Sequence, residues 1–533
     1  MRLPVLVALL LLVSCGAPAG VRDRGAASTL HFDISADPAT LNPLFARSDA
    51  GNVDQQLAHL MFEPFFDLDA RGRRVPELLA TIPSVDNGGI SRDARTILYR
   101  LRPEVRWSDG VPVTAHDVLF TLRAILDPQN PVRSREGYEL IDRAEALDDH
   151  TVRFHLKHPW APAIATFFAY GNAPQYVLPA HVLERERPLA HASFSAAPSV
   201  GDGPFLVRRW KRGDRLLYGA NPRYWRGQAK VAELDVAIVP DPNSNLTLLR
   251  SGALDFNLVA PVQIPVLKDR ADIAFVRVPT AIVAGLAFNT RHAPLDDVRV
   301  RRALAAAIDR DAISSKLTYG NYPVADSDRP RFSWAFDPTV KEPHYDSNLA
   351  DRLLAEAGWR RGSDGRLRKN GRPLELNYVQ FVETTTGMRV AAFAQRQFHE
   401  RGIETPIKAV TQAQFYLPKK GVLSAGDFDI AYVPWTMGAD PDDLFLIGCT
   451  GATNYMRYCN SSVERLERAA VAEPREERRR ANYVAIDRIV ARDVPIVYLF
   501  NAGYVYAYNK RLLGFAPNAF SPTWNAYDWS FQP

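Results

Sequence analysis

The chain has 533 residues, 47% hydrophobic and 23% charged, with Lys+Arg 65 against Asp+Glu 60 and a formal charge of +5. So many apolar residues exclude a disordered chain, three cysteines exclude a disulfide scaffold, and the small basic excess points away from nucleic acid as a partner. The length calls for two or three domains, because a single hydrophobic core stops growing at roughly 250 to 300 residues.

Residues 1–14 read as an export signal. Arg2 supplies the charge, and Leu3 to Val13 is an apolar run well short of the about 20 residues that span a bilayer. Leu12-Val13-Ser14-Cys15 resembles a bacterial lipobox, which makes Cys15 a lipidated first residue. Ordinary cleavage after Ala17-Pro18-Ala19 is the alternative. Residues 15–28 follow as a linker, and the rest of the chain is expected in the periplasm or an equivalent extracytoplasmic space, tethered to a membrane.

His31 to Ser35 is strand-like, and Leu57, Leu60, Met61 and Phe62 suggest a helix over 54–62. Alternating Ile97, Tyr99 and Leu101 have the period of a half-buried strand. Trp107-Ser108-Asp109-Gly110-Val111-Pro112 is a turn, after which Thr114 caps a helix carrying Val118, Leu119, Leu122 and Ile125. Leu234–Val239, a helix starting at Asn245, and Leu254–Val259 make a strand-helix-strand unit with an expected parallel pairing. A further helix begins at Asp296 or Asp297. Pro474 opens another, with Tyr483, Ile486, Ile489 and Val490 as its buried stripe and Glu476 to Arg480 as its solvated face. The strand after it runs through Phe500. This succession is mixed α/β.

Cys449 and Cys459 remain after Cys15. In an oxidising compartment, a pair closing a glycine-containing loop points to a disulfide; no histidine stands in metal-ligand spacing with them. No catalytic constellation holds. Gly201-Asp202-Gly203 lacks the third glycine of a dinucleotide turn, His399-Glu400 lacks zinc-protease spacing, and there is neither a phosphate loop nor a Gly-x-Ser-x-Gly elbow. No catalytic residue, metal ligand or cofactor is therefore assigned, and the chain is read as a binding protein rather than an enzyme.

Several blocks, in order, resemble the extracellular solute-binding proteins of family 5, the peptide/nickel type of ABC importers. They are Leu101 to Val118, Gly201 to Phe205 with Asn221 to Trp225, Phe288-Asn289-Thr290 with Val300 to Leu304 and Ala307 to Arg310, Ala355 to Trp359, and Trp435 with Asp440-Pro441-Asp442. The resemblance implies a periplasmic-binding-protein-like α/β fold of two hinged lobes with an inserted domain. Domain I is expected at 29–50, 195–280 and 500–533, domain II at 51–194, and domain III at 281–499, with hinge crossings near Thr280 to Gly285 and Tyr498 to Phe500. The implied function is capture of short peptides for delivery to permease subunits with their ATPases, as a monomer. The Trp107 to Gly110 block reads as structural.

Trp435, Asp440, Phe288, Asn289, Glu383 and Thr384 are the candidate substrate-binding residues. In peptide-binding relatives, an aspartate three residues after the tryptophan pairs with the ligand's amino terminus. Here that position is Gly438, and Asp440 is the substitute if the loop is shifted. The departure keeps a metal chelate, haem, an opine or an oligosaccharide as alternative ligands. A secreted hydrolase, or a receptor that passes its ligand to a sensor, are alternatives of another kind.

Overall fold

The computed structural model describes residues 29–45, 53–171, 174–186 and 188–532. The export signal, Cys15 and the linker lie outside them. Among the described residues, no helix is long and apolar enough to cross a membrane.

One ten-stranded sheet runs through the molecule. Its strands are β1 (Thr29–Ile34), β2 (Phe205–Lys211), β3 (Arg215–Ala220), β4 (Glu233–Ile238), β5 (Phe256–Leu258), β6 (Ile273–Phe288), β7 (Tyr378–Phe381), β8 (Ile407–Val410), β9 (Ile430–Thr436) and β10 (Ile496–Asn509), in the spatial order β8-β7-β9-β6-β10-β5-β1-β4-β3-β2. β4 and β5 are both parallel to β1 and flank it. The expected strand-helix-strand pair is therefore parallel but split, with the N-terminal strand seated between its members. The connecting helix also starts earlier than expected, at Pro242–Ser251 behind an Asp241 cap whose carboxylate accepts from Ser244 N at 2.8 Å.

β6 and β10 pair antiparallel along most of their length and carry the sheet from one lobe to the other. Ile273 to Pro279 opposes Gly503 to Asn509 on the β5 side, while Val283 to Ala287 opposes Ile496 to Asn501 on the β9 side. The register shifts between Pro279 and Val283, and again between Ala284 and Gly285. At the first shift, Thr280 Oγ1 donates to Ala502 O at 2.9 Å and accepts from Ile282 N at 3.1 Å. At the second, a Cβ on Gly285 would lie 2.6 Å from Ile496 Cγ2; only glycine permits this approach of the two strands. Bulges in a paired ribbon bend it locally, so the two crossings form a natural hinge.

Helix α1 (Val53–Met61) leads into an inserted unit built on a three-stranded sheet, Thr96–Arg100, Thr151–Leu156 and Ile141–Asp148 in that spatial order. Helix α2 (Ala115–Leu126) belongs to this unit. Asp117 accepts from Thr114 N and Ala180 N, both at 2.8 Å, and Trp107 is fully buried beside it. Trp107 Nε1 donates to Asp117 Oδ2 at 3.5 Å, so the buried indole serves this turn. The other lobe packs α3 (Val298–Ala307), α4 (Thr385–Glu400), α5 (Ser461–Ala472) and α6 (Glu476–Asp493) about β6 to β10.

Cys449 and Cys459 are bonded, with Cα atoms 4.4 Å apart. Closing so short a loop restricts the unfolded chain by about 2 to 3 kcal/mol. Replacing both cysteines by serine is expected to lower the unfolding free energy by about that amount in urea titrations; an unchanged midpoint contradicts the loop's contribution.

Candidate functional site

The inserted unit and the β9 lobe face each other across two adjoining cavities. The first, of about 500 Å3, has Ser134, Glu136, Tyr138, Trp160, Pro162 and Thr166 on the inserted wall, and Thr436, Gly438, Ala439, Asp442, Leu444 and Phe445 on the other. The second, of about 570 Å3, is lined by Arg71, Arg73, Arg74, Phe332, Trp334, Arg475, Glu476 and Arg479, among others. Trp160, Ala439 and Asp440 border both. Two contacts bridge the lobes beside them: Ala161 N donates to Val471 O at 2.7 Å, and Arg74 pairs with Glu476.

The wall on the β9 side is a loop that leaves the sheet at the hinge. Thr436, the last residue of β9, pairs with Ile282, and Met437 N donates to Ala281 O at 2.8 Å. Two buried guanidiniums then hold the loop. Arg479 grips Asp440 through two bonds of 2.7 and 2.5 Å, donates to Ala470 O at 3.0 Å and reaches the Tyr483 hydroxyl at 2.9 Å. Arg329, only 1% exposed, donates to Pro441 O and to Asp443 Oδ2, the latter at 2.7 Å. Asp328, Glu467 and Asp487 also surround Arg329, at 3.6, 3.9 and 3.4 Å. One cation cannot neutralise four buried carboxylates. Burial raises Asp443 well above the usual carboxylate range, and it pushes Glu467 up to about 7 and Asp487 up to about 8.

Of the three aspartates in Asp440-Pro441-Asp442-Asp443, two are thus committed to arginines. Asp442 lies between them and faces the first cavity. Its carboxylate accepts from Leu444 N at 3.2 Å, and burial, then the charge on Asp440, raise its pKa to about 6. Glu136 on the facing wall is also raised, by partial burial and then by Glu139.

The six predicted residues do not come together. Asp440 borders the cavities but is 8% exposed and already paired with Arg479, so it does not stand in as an open ammonium anchor. Trp435 points into the core beside Thr436 and lines neither cavity. Phe288 and Asn289 lie buried in the core. Phe288 packs at the end of β6, and Asn289 Nδ2 donates to Gly426 O at 3.0 Å. Glu383 accepts from Gln412 N at 2.9 Å, and Thr384 caps α4 by accepting from Gly387 N at 3.2 Å. Both serve a turn. A Cβ at Gly438 would meet Asp440 O at 3.2 Å, so a side chain here crowds the loop. Arg479 was expected on the solvated face of its helix; it is buried because Asp440 neutralises it. The cavity residues that sequence reading missed, Glu136 and Asp442, carry no motif of their own. Asp442 falls inside a recognised block, but its orientation follows from what its neighbours bind.

A family model for "Bacterial extracellular solute-binding proteins, family 5 Middle" matches residues 75–457. The chain belongs to this family. Among its relatives, di/tripeptide-binding protein 2 of Pseudomonas aeruginosa is 27% identical over 538 residues, covering 95% of each chain. Two solved structures share the fold of this solute-binding protein. The oligopeptide-binding protein AppA of Bacillus subtilis, in complex with a nonapeptide, superposes with a TM-score of 0.73 at 23% identity, covering 95% of this chain and 99% of its own. NikZ of Campylobacter jejuni, in complex with Ni(L-His), gives 0.75 at 24%, covering 95% and 100%.

Asp440→Ala leaves Arg479 buried without a counter-charge and is expected to cost about 3 to 5 kcal/mol in urea unfolding. A loss under about 1 kcal/mol contradicts a structural role for the pair. Stability also depends on pH through the Arg329 cluster. Glu467 and Asp487 have folded pKa values near 7 and 8, above those of the unfolded chain, so the native state holds more protons between about pH 4 and 8 and loses stability as pH rises through that window. Asp487→Asn, which cannot ionise, should flatten the urea midpoint between pH 5 and 8.5; an unchanged slope contradicts the assignment.

Proposed function

We propose that this family 5 protein is the substrate-binding subunit of an ABC importer, capturing short peptides outside the cytoplasmic membrane and delivering them to permease subunits with their ATPases. The observation that carries the reading is the inter-lobe cleft at the end of a hinged β-ribbon, in a chain matched almost end to end by a di/tripeptide-binding relative. In this reading the chain makes and breaks no bonds. It holds solute between domain I with its insertion (29–50, 195–280 and 500–533, with 51–194) and domain III (281–499), acts as a monomer, and is tethered through Cys15 in the periplasm or its equivalent. Ligand shifts the lobes toward closure only by its preference for the closed form, and the Ala161–Val471 bond and the Arg74–Glu476 pair are the protein's own contribution to that form.

Purified protein screened by thermal shift against di-, tri- and oligopeptides is expected to be stabilised by about 2.7 kcal/mol at a peptide concentration 100 times the Kd. A response to a metal chelate, haem, an opine or a sugar, with none to any peptide, contradicts the peptide assignment.

A further inference from the structure

We propose that a pocket on the β9 lobe, apart from the cleft, binds the phosphate group of an organic phosphate ester, with Arg302 and Arg488 as its principal donors. The pocket has a volume of about 500 Å3 and shares no lining residue with the two cleft cavities, so the inference does not rest on the solute-capture reading. Three segments build it. α3 contributes Arg302, α6 contributes Arg488 and Arg492, and the loop at 339–344 contributes Lys341 and His344. Arg301 lashes the two helices together: its buried guanidinium donates to Asp493 O at 2.9 and 2.6 Å and to Leu295 O at 2.8 Å. The residue after it, half-buried Arg302, is thereby held at the pocket wall. Arg488 and Arg492 are exposed, and residues four apart share one face of a helix. Val340 and Ala491 form the floor, where they pack with Val484 as an apolar cluster separate from the main core.

The charge of this pocket is one-sided. Four cations line it against a single acid, Glu342. That acid is fully buried and already engaged, its Oε2 accepting from Arg310 at 3.1 Å and from Tyr498 N at 3.0 Å. Lys341 meets Asp326 at 2.8 Å, Arg492 meets Asp493 at 3.2 Å, and Arg488 lies 3.8 Å from Asp337. In each of these pairs the cation is more than half exposed, at 53, 65 and 62%, where an ion pair contributes little and exchanges readily. Among the described residues, the side chains of Arg302 and His344 have neither a hydrogen bond nor an ion pair. Cations gathered around a concave surface repel one another, and an anion seated among them removes that repulsion. The donors arrive from three segments. A carboxylate offers two oxygens in one plane, whereas a phosphate offers three or more in different directions, and a guanidinium fork can take two of them at once. The apolar floor suits the organic group of an ester, which a bare inorganic ion would leave uncovered.

Calorimetry with glycerol 1-phosphate at constant ionic strength tests the site, on the mature chain with Cys15→Ser so that no acyl chain intervenes. The ester is expected to bind and to weaken at least about 10-fold in the Arg302→Gln, Arg488→Gln double variant. Removing two exposed arginines elsewhere, by Arg209→Gln with Arg250→Gln, is expected to leave binding unchanged. Sedimentation with vesicles of phosphatidylcholine and about one-third phosphatidylglycerol then separates the sources. Vesicle binding that the Arg302, Arg488 variant abolishes assigns the phosphate to a membrane lipid; binding of the soluble ester alone assigns it to a free phosphate ester. If that variant misfolds by urea titration, exposed Arg488→Gln carries the test, with a loss of at least about 3-fold expected. Equal weakening in the two double variants marks diffuse charge and overturns the site. So does an affinity that loss of Arg302 and Arg488 leaves unchanged, or the absence of binding to ester and vesicles alike.

Discussion

The geometry of the cleft depends on two guanidiniums that water does not reach. Arg479 and Arg329 hold Asp440, Pro441 and Asp443 from below, and the loop between the hinge and α5 has little freedom left. A buried charge costs several kcal/mol unless it is paired and hydrogen-bonded, so each arginine fixes its aspartate as firmly as the aspartate fixes the arginine. The consequence for function is a sorting of three aspartates. Two are consumed by the fold, and Asp442 is left at the cavity wall. The excess of buried acid around Arg329 is tolerated because protonation is cheaper there than four desolvated charges.

The same loop is coupled to the hinge by covalent continuity. β9 ends opposite Ile282, next to the register break that separates the two halves of β6 and β10. The Arg479 and Arg329 contacts that hold the loop all lie within the β9 lobe. The contacts at Arg74–Glu476 and Ala161–Val471 lie where closure brings the lobes together, and their modest strength suits a cleft that must reopen to release its cargo.

The architecture was legible in the sequence because it is written in periodicity and turn chemistry. Ile97, Tyr99 and Leu101 alternate as the strand demands, and Asp109-Gly110 turns where Gly110 takes a positive φ of 99°. The Cys449–Cys459 bond showed as a pair in an oxidising setting. The site was less legible. Phe288 and Asn289 belong to a block that recurs because it packs, and Thr384 to a helix cap; neither role differs in sequence from ligand contact. Arg479 sits in a run of charges that reads as solvated, and only its partner 39 residues away, Asp440, makes it a core residue. β4 and β5 follow one another in the chain, yet β1 enters between them, because a strand from far upstream pairs with both. Such long-range pairings carry no local mark.

The account's central claim is that solute is held between the lobes against the loop that Arg479 and Arg329 organise. A crystal structure of the protein with trialanine tests it most directly. The account predicts the peptide enclosed between the inserted unit and the β9 loop, with the Asp440–Arg479 pair intact. A peptide bound elsewhere, or one whose ammonium displaces Arg479 from Asp440, would contradict it.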